Sequence, residues 1–550
     1  MRRKILINIT LVSVILITAA VVRFGGIDKY DLWFDELITD NFSYQNLNSM
    51  ARWSKMTPLN CFLEALQNDK HPPLYYGLVY GYSVFGGNGK SLRVLSAIFS
   101  FFSLVIIYFC ACLLFGRKAG LYALIIMALS PFQIWYAQEA RPYALSCFFS
   151  LLLIFFFLKA LKTGKTKFWF YFILSAILAI YTSYYNLFLI VFSGLSLFFK
   201  VNRQHLKRWF LSITAVGVAF LPLLPLLKIQ MGSLGGSFWL PPSAAHSMIL
   251  TFAVFNLGYS ASFLELNGAL SLSCLLFSLG AFAYYRSNKE DALFLVSWFL
   301  LPVLTIYLIS REFVPVFITR QLIIFTPFWY LFIAQGIVSL KNRMLRQLSI
   351  IGICLLMVSS LAGYYRGFMF ISKSNLEFYA GVHKKKNYRN LLGSVFNAYK
   401  QRDAIVVSDI QSLVLTSPLR RQYKYSIDRD SCAFIFYPHA LSNYERKILQ
   451  IDGVIKNLPK KEQKDLYILK LPNRSAIRQI DKFEANKEYF DRLWLISSSW
   501  GTGLSLSCNS QKARAYMLRN YEKIEELQHD GIIAELFNIS KKKVTQPWSH

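Results

Sequence analysis

LRVLSAIFSFFSLVIIYFCACLL, residues 92–114, runs for 23 residues with one charge, Arg93, near its start, and FGRK (115–118) follows at once. A helix needs ~20 apolar residues to cross the hydrocarbon core of a bilayer, and this run has them. The basic residues at its end mark the side of the membrane on which short loops retain Lys and Arg. Similar runs lie near residues 5–22, 119–136, 144–158, 168–199 (as a tight pair), 209–228, 268–285, 292–309, 321–339 and 348–364. The loops KALKTGKTK (159–167), KVNRQHLKR (200–208), RSNK (286–289) and KNRMLR (341–346) carry the same basic signature, so the runs alternate consistently and give eleven crossings. Two apolar runs, 74–86 and 247–263, are left over, and counting either alone as a crossing inverts every later loop. They are expected to be re-entrant or membrane-surface helices, which puts the chain in the polytopic α-helical class with about 11–13 transmembrane helices.

Composition agrees: 55% hydrophobic and only 16% charged residues over 550 positions exclude a soluble globular chain. The net charge of +30 sits largely in short clusters between apolar runs, a signature of topology and not of nucleic-acid binding. The eight cysteines show no zinc spacing, and Cys110, Cys112, Cys147, Cys274 and Cys354 lie inside apolar runs as small hydrophobes. The opening MRRKILINITLVSVILITAAVVRFGG lacks a clear small-residue cleavage site, so it reads as an uncleaved first span with Arg2, Arg3 and Lys4 in the cytoplasm. This orientation makes residues 23–91, the stretch around YAQEARPY (136–143), the loop 229–246 and SREFVPVFITR (310–320) extracytoplasmic.

Residues 1–364 thus form a multi-span domain, and 365–550 a polar tail, with KKK at 384–386, expected as a small extracytoplasmic α/β domain. DAIVVSD (403–409) and RLWLISSS (492–499) read as buried strands, and ARAYMLRNYEKIEELQHD (513–530) as a helix. In that compartment Cys432 and Cys508 are either a disulfide or two free thiols.

Ionisable residues at membrane depth are costly and mark candidate sites. DLWFDELITD (31–40) carries Asp35 and Glu36, and DKHPPLYY (69–76) carries His71, on one extracytoplasmic loop. A solvated loop edge or helix cap accounts for the two carboxylates equally well, and His71 also suits a capping residue. SPFQIWYAQEARPYAL (130–145) sets Gln138, Glu139 and Arg141 into an apolar stretch, where Glu139 and Arg141 are either a structural ion pair or part of a site. Arg320 in SREFVPVFITRQLIIFTP (310–327) stands before a span on the outer face, either snorkelling to the interface or meeting an anion. Tyr184, Tyr185 and Asn186 also face outward and read as interface residues.

In order along one chain, the DE pair after the first span, HPPLYY, the S-P-x6-Q-E-A-R-x-Y run and P-x-F-x-x-R-x-L-x-x-x-x-P resemble the membrane-embedded GT-C glycosyltransferases, in particular the branch of protein O-mannosyltransferases and the lipid A aminoarabinose transferase. The resemblance covers about residues 1–340. It implies a sugar donor carried on a polyprenyl phosphate in the membrane and a glycan, lipid or protein acceptor on the extracytoplasmic side of the plasma (inner) membrane. Asp35 takes the place of the base or acceptor-orienting carboxylate, with Glu36 shaping the same site, and Arg320 that of the family's arginine. Gln321 stands where tyrosine is common, and His71 where the lipid A branch has lysine. Arg141 and His71 are further candidates for the donor phosphate, and Glu139 is the candidate second carboxylate. The chemistry is coherent by itself: displacing a phosphate from an anomeric carbon needs a base near the nucleophile and positive charge at the leaving group. Direct displacement inverts the centre; whether a divalent cation shares the cationic role, and whether any metal binds, is left open. The rival expectation is a transporter or flippase of a lipid-linked or anionic substrate, whose outer-face charges line a path.

Overall fold

The structure, a computed structural model, describes residues 2–232, 245–368, 391, 394–395, 397–398, 400, 403–407, 433–436, 491–498, 508–529 and 532–540. The chain divides into two compact units, Met1–Ile27, Phe42–Tyr44 and Asp69–Val382 in one, Asp28–Asn41, Gln45–Asn68 and His383–His550 in the other.

The helices α2 (Phe34–Asp40), α3 (Tyr44–Ser54) and α4 (Pro58–Asn68) belong, Tyr44 apart, to the second unit; the first unit is helical, with α1 (Arg2–Phe24), α5 (Leu74–Val84), α6 (Arg93–Phe115), α7 (Arg117–Leu129), α8 (Pro131–Ala137) and α9 (Tyr143–Thr163). It continues through α10 (Thr166–Ile180), α11 (Asn186–Phe192), α12 (Leu206–Phe220), α13 (Leu224–Gly232), α14 (Ala245–Leu257), α15 (Phe263–Ser287), α16 (Lys289–Glu312), α17 (Thr326–Ser339) and α18 (Arg343–Tyr365). Among the described residues seven helices are long and apolar enough to cross a membrane, and the pair α7–α8, bent by 58°, makes an eighth if it is one span. Thr10–Phe24, Thr166–Ile180 and Asn186–Phe198 are shorter apolar helices at the remaining expected crossings. The two leftover runs also become short helices, α5 and α14, of 11 and 13 residues. At ~1.5 Å per residue neither covers a ~30 Å core.

The bend between α7 and α8 has a local cause. Pro131 has no N–H for the carbonyl of Met127, which a continuous helix would bond four residues back. Arg23 of α1, fully buried, replaces that donor: its guanidinium gives 2.9 Å hydrogen bonds to the carbonyls of Met127 and Ala128 and one of 3.0 Å to Ser100 Oγ. The service is reciprocal. Gln138, just past α8, donates from Nε2 to the carbonyls of Val22 (2.9 Å) and Gly25 (2.8 Å) at the end of α1, and Tyr364 donates to its Oε1 at 2.8 Å. Each unsatisfied helix end is thereby capped by a side chain from the other, and the turn after α8, which carries Glu139 and Arg141, is held in place.

Helices α15 and α17 pack closely through Gly280 and Gly336, since a Cβ on Gly280 would strike the Phe332 carbonyl and one on Gly336 the Leu276 carbonyl. Beside them an aromatic core stacks Phe294 on Trp298 (5.1 Å between ring centroids) and Phe277 on Trp329 (5.1 Å).

In the second unit the C-terminal strands among the described residues form a five-stranded mixed sheet. β1 (Asp403–Val407), β2 (Ala433–Phe436), β3 (Arg492–Ser498), β4 (Glu522–His529) and β5 (Ile532–Asn538) take the order β2-β1-β3-β5-β4. β1 is parallel to both neighbours, whereas β5 is antiparallel to β3 and β4. The two expected strands are β1 and β3. The expected helix over 513–530 is corrected: α19 spans Cys508–Asn520, and the rest becomes β4. β4 pairs along the buried strand β5, and this tertiary pairing overrides the helical periodicity of a charged segment suited to a sheet edge. Buried Glu535 on β5 accepts a bidentate pair from Arg514 of α19 (2.7 and 2.9 Å), which fastens the helix to the sheet. Residues 384–386, most of the loop 229–246 and the Cys432–Cys508 pairing lie outside the described residues.

Gly336→Val should lower the apparent Tm of the purified protein, since overpacking typically costs ~1–3 kcal/mol and here the neighbour is backbone. Gly217→Val, on an open face of α12, serves as the control; equal unfolding curves for the two variants would contradict the close α15–α17 packing.

Candidate active site

DKHPP builds the centre of the site from its own backbone. Asp69 Oδ1 accepts hydrogen bonds from the backbone N–H of Lys70 (2.7 Å) and of His71 (2.9 Å), an Asx-type turn. Pro72 and Pro73 then bring the chain into α5, whose first N–H, on Leu74, donates to the Tyr181 carbonyl at 2.9 Å. The turn is thus fixed before any side chain beyond it is considered.

Three more segments converge on it. From the turn after α8, Arg141 Nη1 lies 3.3 Å from Asp69 Oδ2 and donates to Tyr76 Oη at 3.1 Å, while its Nη2 is 3.1 Å from His71 Nδ1. His71 Nδ1 is itself 2.7 Å from Asp69 Oδ1. From the segment before α17, Gln321 Nε2 sits 3.0 Å from His71 Nε2, and its Oε1 accepts from Ser183 Oγ at 3.5 Å. Arg320 lies 5.6 Å over the ring of Tyr143, which is steeply inclined to the His71 ring with 5.9 Å between their centroids. Gln230 Nε2 donates to the His71 carbonyl at 3.3 Å, and Tyr184 holds the Gln230 amide oxygen at 2.9 Å. Asp69, His71, Arg141 and Arg320 are all buried.

Burial favours the protonated carboxyl of Asp69, yet Arg141 and His71 outweigh it and hold the group well below the usual carboxylate range. For His71 burial acts first, lowering its pKa; Asp69 pulls the other way, but Arg141 adds to the depression and the imidazole stays below its ordinary value. The cluster therefore consists of an ionised Asp69, a neutral His71 and two guanidinium cations.

The structure brings His71, Arg141 and Arg320 into one neighbourhood, with Glu139 two residues from Arg141 and accepting from Trp135 Nε1 at 3.2 Å. Asp35 and Glu36 belong to the second unit, in the first turn of α2, where Glu36 Oε2 accepts from the Trp33 N–H at 3.3 Å. Asp69 is a carboxylate in contact with Arg141, and sequence reasoning misses it although DKHPP displays it two residues before the histidine. In the sequence Gln321 stands out only as a departure from tyrosine, and no local signal marks it as a partner of a residue 250 positions away. Among the described residues no group of three or more His, Cys, Asp or Glu could hold a metal ion. At Asp69 and His71 the Arg141 guanidinium occupies the cationic position beside both.

Residues 70–229 match the family described as dolichyl-phosphate-mannose-protein mannosyltransferase. No match was found among curated protein sequences. Two crystal structures of ArnT from Cupriavidus metallidurans align over 96% of this chain and 97% of theirs: the apo state at TM-score 0.52 and 12% identity, and the form bound to undecaprenyl phosphate at 0.53 and 13%. The fold is accordingly the GT-C fold that the motifs implied, on an integral, multi-pass membrane protein.

Because His71 is depressed, the folded chain binds fewer protons than the unfolded one below the ordinary histidine value near ~6.5, and stability falls as pH drops through that window. Asp69, depressed from ~3.9, contributes stability that is lost only at more acidic pH. The apparent Tm of the wild type should therefore fall more between about pH 7.5 and pH 5.5 than that of His71→Gln; equal falls would show that His71 is not held neutral.

Proposed function

We propose that this protein is a glycosyltransferase that moves a sugar from a polyprenyl-phosphate donor to an acceptor on the extracytoplasmic face of the plasma (inner) membrane, with inversion at the anomeric carbon. The observation that carries the proposal is the buried cluster of Asp69, His71, Arg141 and Arg320. Arg141 and Arg320 bring two guanidinium cations to this neighbourhood, and such groups suit the negative charge of a sugar phosphodiester. The ArnT structure bound to undecaprenyl phosphate supports a lipid phosphate as the ligand class.

In the reaction the acceptor oxygen attacks the anomeric carbon, the bond from that carbon to the phosphate oxygen breaks, and the acceptor's proton passes to a base. Asp35 takes that role from the resemblance, with Glu36 beside it on α2. The departing phosphate gains negative charge as the bond breaks, and Arg141 and Arg320 are the groups whose charge-assisted hydrogen bonds strengthen as it does. Glu139 is the candidate second carboxylate. The acceptor is a cell-envelope glycan, lipid or protein.

The test is release of polyprenyl phosphate from a panel of polyprenyl-phosphate sugars, with cell-envelope extract as acceptor. Wild-type protein should turn over at least one donor, and Asp35→Asn, which keeps shape but removes the base, should lose roughly 10²-fold or more in kcat. If wild type moves a lipid-linked substrate across vesicles without cleaving any donor, the protein is a transporter and the proposal fails.

A further inference from the structure

We propose that Asp69, His71 and Gln321 form a positioning chain for Arg141, with His71 locked as the uncharged Nδ1–H tautomer. The inference rests on the transferase reading for its consequence and on geometry for its content. A carboxylate oxygen carries no proton, so the 2.7 Å contact between His71 Nδ1 and Asp69 Oδ1 requires the hydrogen on Nδ1. A second proton, on Nε2, would place an imidazolium against the Arg141 guanidinium 3.1 Å away, with Arg320 also close. Nε2 is then an acceptor, and its partner at 3.0 Å, Gln321 Nε2, is a donor. The Gln321 amide is oriented for this by Ser183, whose hydroxyl donates to the opposite end, Oε1. Donor and acceptor thus match at every link from Ser183 through Gln321 and His71 to Asp69; Arg141 is held through Nη1, by Asp69 Oδ2 and Tyr76 Oη, while its Nη2, 3.1 Å from Nδ1, makes no hydrogen bond to a nitrogen that is itself a donor.

The chain fixes Asp69 from two sides. Its Oδ1 is engaged by two backbone N–H groups and the imidazole, which leaves Oδ2 to face Arg141. His71, its one ring N–H spent on Asp69, has no proton to give a phosphate. The cations for the leaving group are the two arginines, and His71 sets the carboxylate that aims one of them. The charged and titratable groups around the imidazole are Asp69 from its own turn, Arg141 from the turn after α8, Tyr143 at the start of α9 and Arg320 from the segment before α17.

Nitrogen NMR of histidine-labelled protein at pH 7, with the His71 signals assigned by their loss in His71→Gln, reads the tautomer directly. The expected result is a protonated Nδ1 and an unprotonated Nε2. In Gln321→Glu the imidazole faces two acceptors, so both ring nitrogens should become protonated at the same pH. A protonated Nε2 in the wild type overturns the proposal, and the wild-type spectrum alone decides if the Glu variant does not fold. In the turnover assay, Asp69→Asn and Arg141→Gln should each raise the donor KM by at least about tenfold, and the double variant by no more than either alone. Additive effects overturn the positioning role. The two readings fail separately: the expected tautomer without donor turnover removes the transferase and leaves the locked histidine, whereas turnover with a protonated Nε2 does the reverse.

Discussion

The buried contact between Asp69 and Arg141 is the interaction on which the candidate site depends. A guanidinium away from water is costly unless a carboxylate and further hydrogen bonds compensate it, and removing one partner of such a pair costs about 3–5 kcal/mol. Asp69 meets that requirement while also accepting from the N–H groups that shape the turn into α5. One carboxylate therefore couples the backbone of HPP to the placement of a cation. The arginine is thereby tied to a turn that the backbone has already shaped.

The placement of Arg141 has a second cause some distance along the chain. Pro131 breaks the helix, Arg23 caps the carbonyls this exposes, and Gln138 caps the end of the helix that carries Arg23. Within a membrane such unsatisfied carbonyls have no water to turn to, so the two caps make the bend a defined one. Polar residues in the first unit divide on this basis. Arg23 and Gln138 satisfy helix carbonyls, whereas Asp69, His71, Arg141 and Gln321 are joined side chain to side chain across three segments.

The helices were legible because run length and basic loops are local properties, and the same holds for α5 and α14, too short to span. The outer clusters were legible for a related reason, since charges stand out in apolar sequence. Pairing among them was not. Whether Arg141 meets Glu139, two residues away, or Asp69, 72 residues away, depends on the folded course of three segments. Residues 522–529 were misread for a similar reason: their state is decided by β5, a neighbour across the sheet, and not by their own pattern.

The central claim is that the arginine cluster recognises a lipid phosphate. Native mass spectrometry of the purified protein, titrated with polyprenyl phosphate against the neutral polyprenol of equal length, tests it most directly. Wild type should prefer the phosphate by at least about tenfold, or 1.4 kcal/mol, and Arg141→Gln should lose most of that preference. Equal binding of the two lipids by wild type would contradict the account.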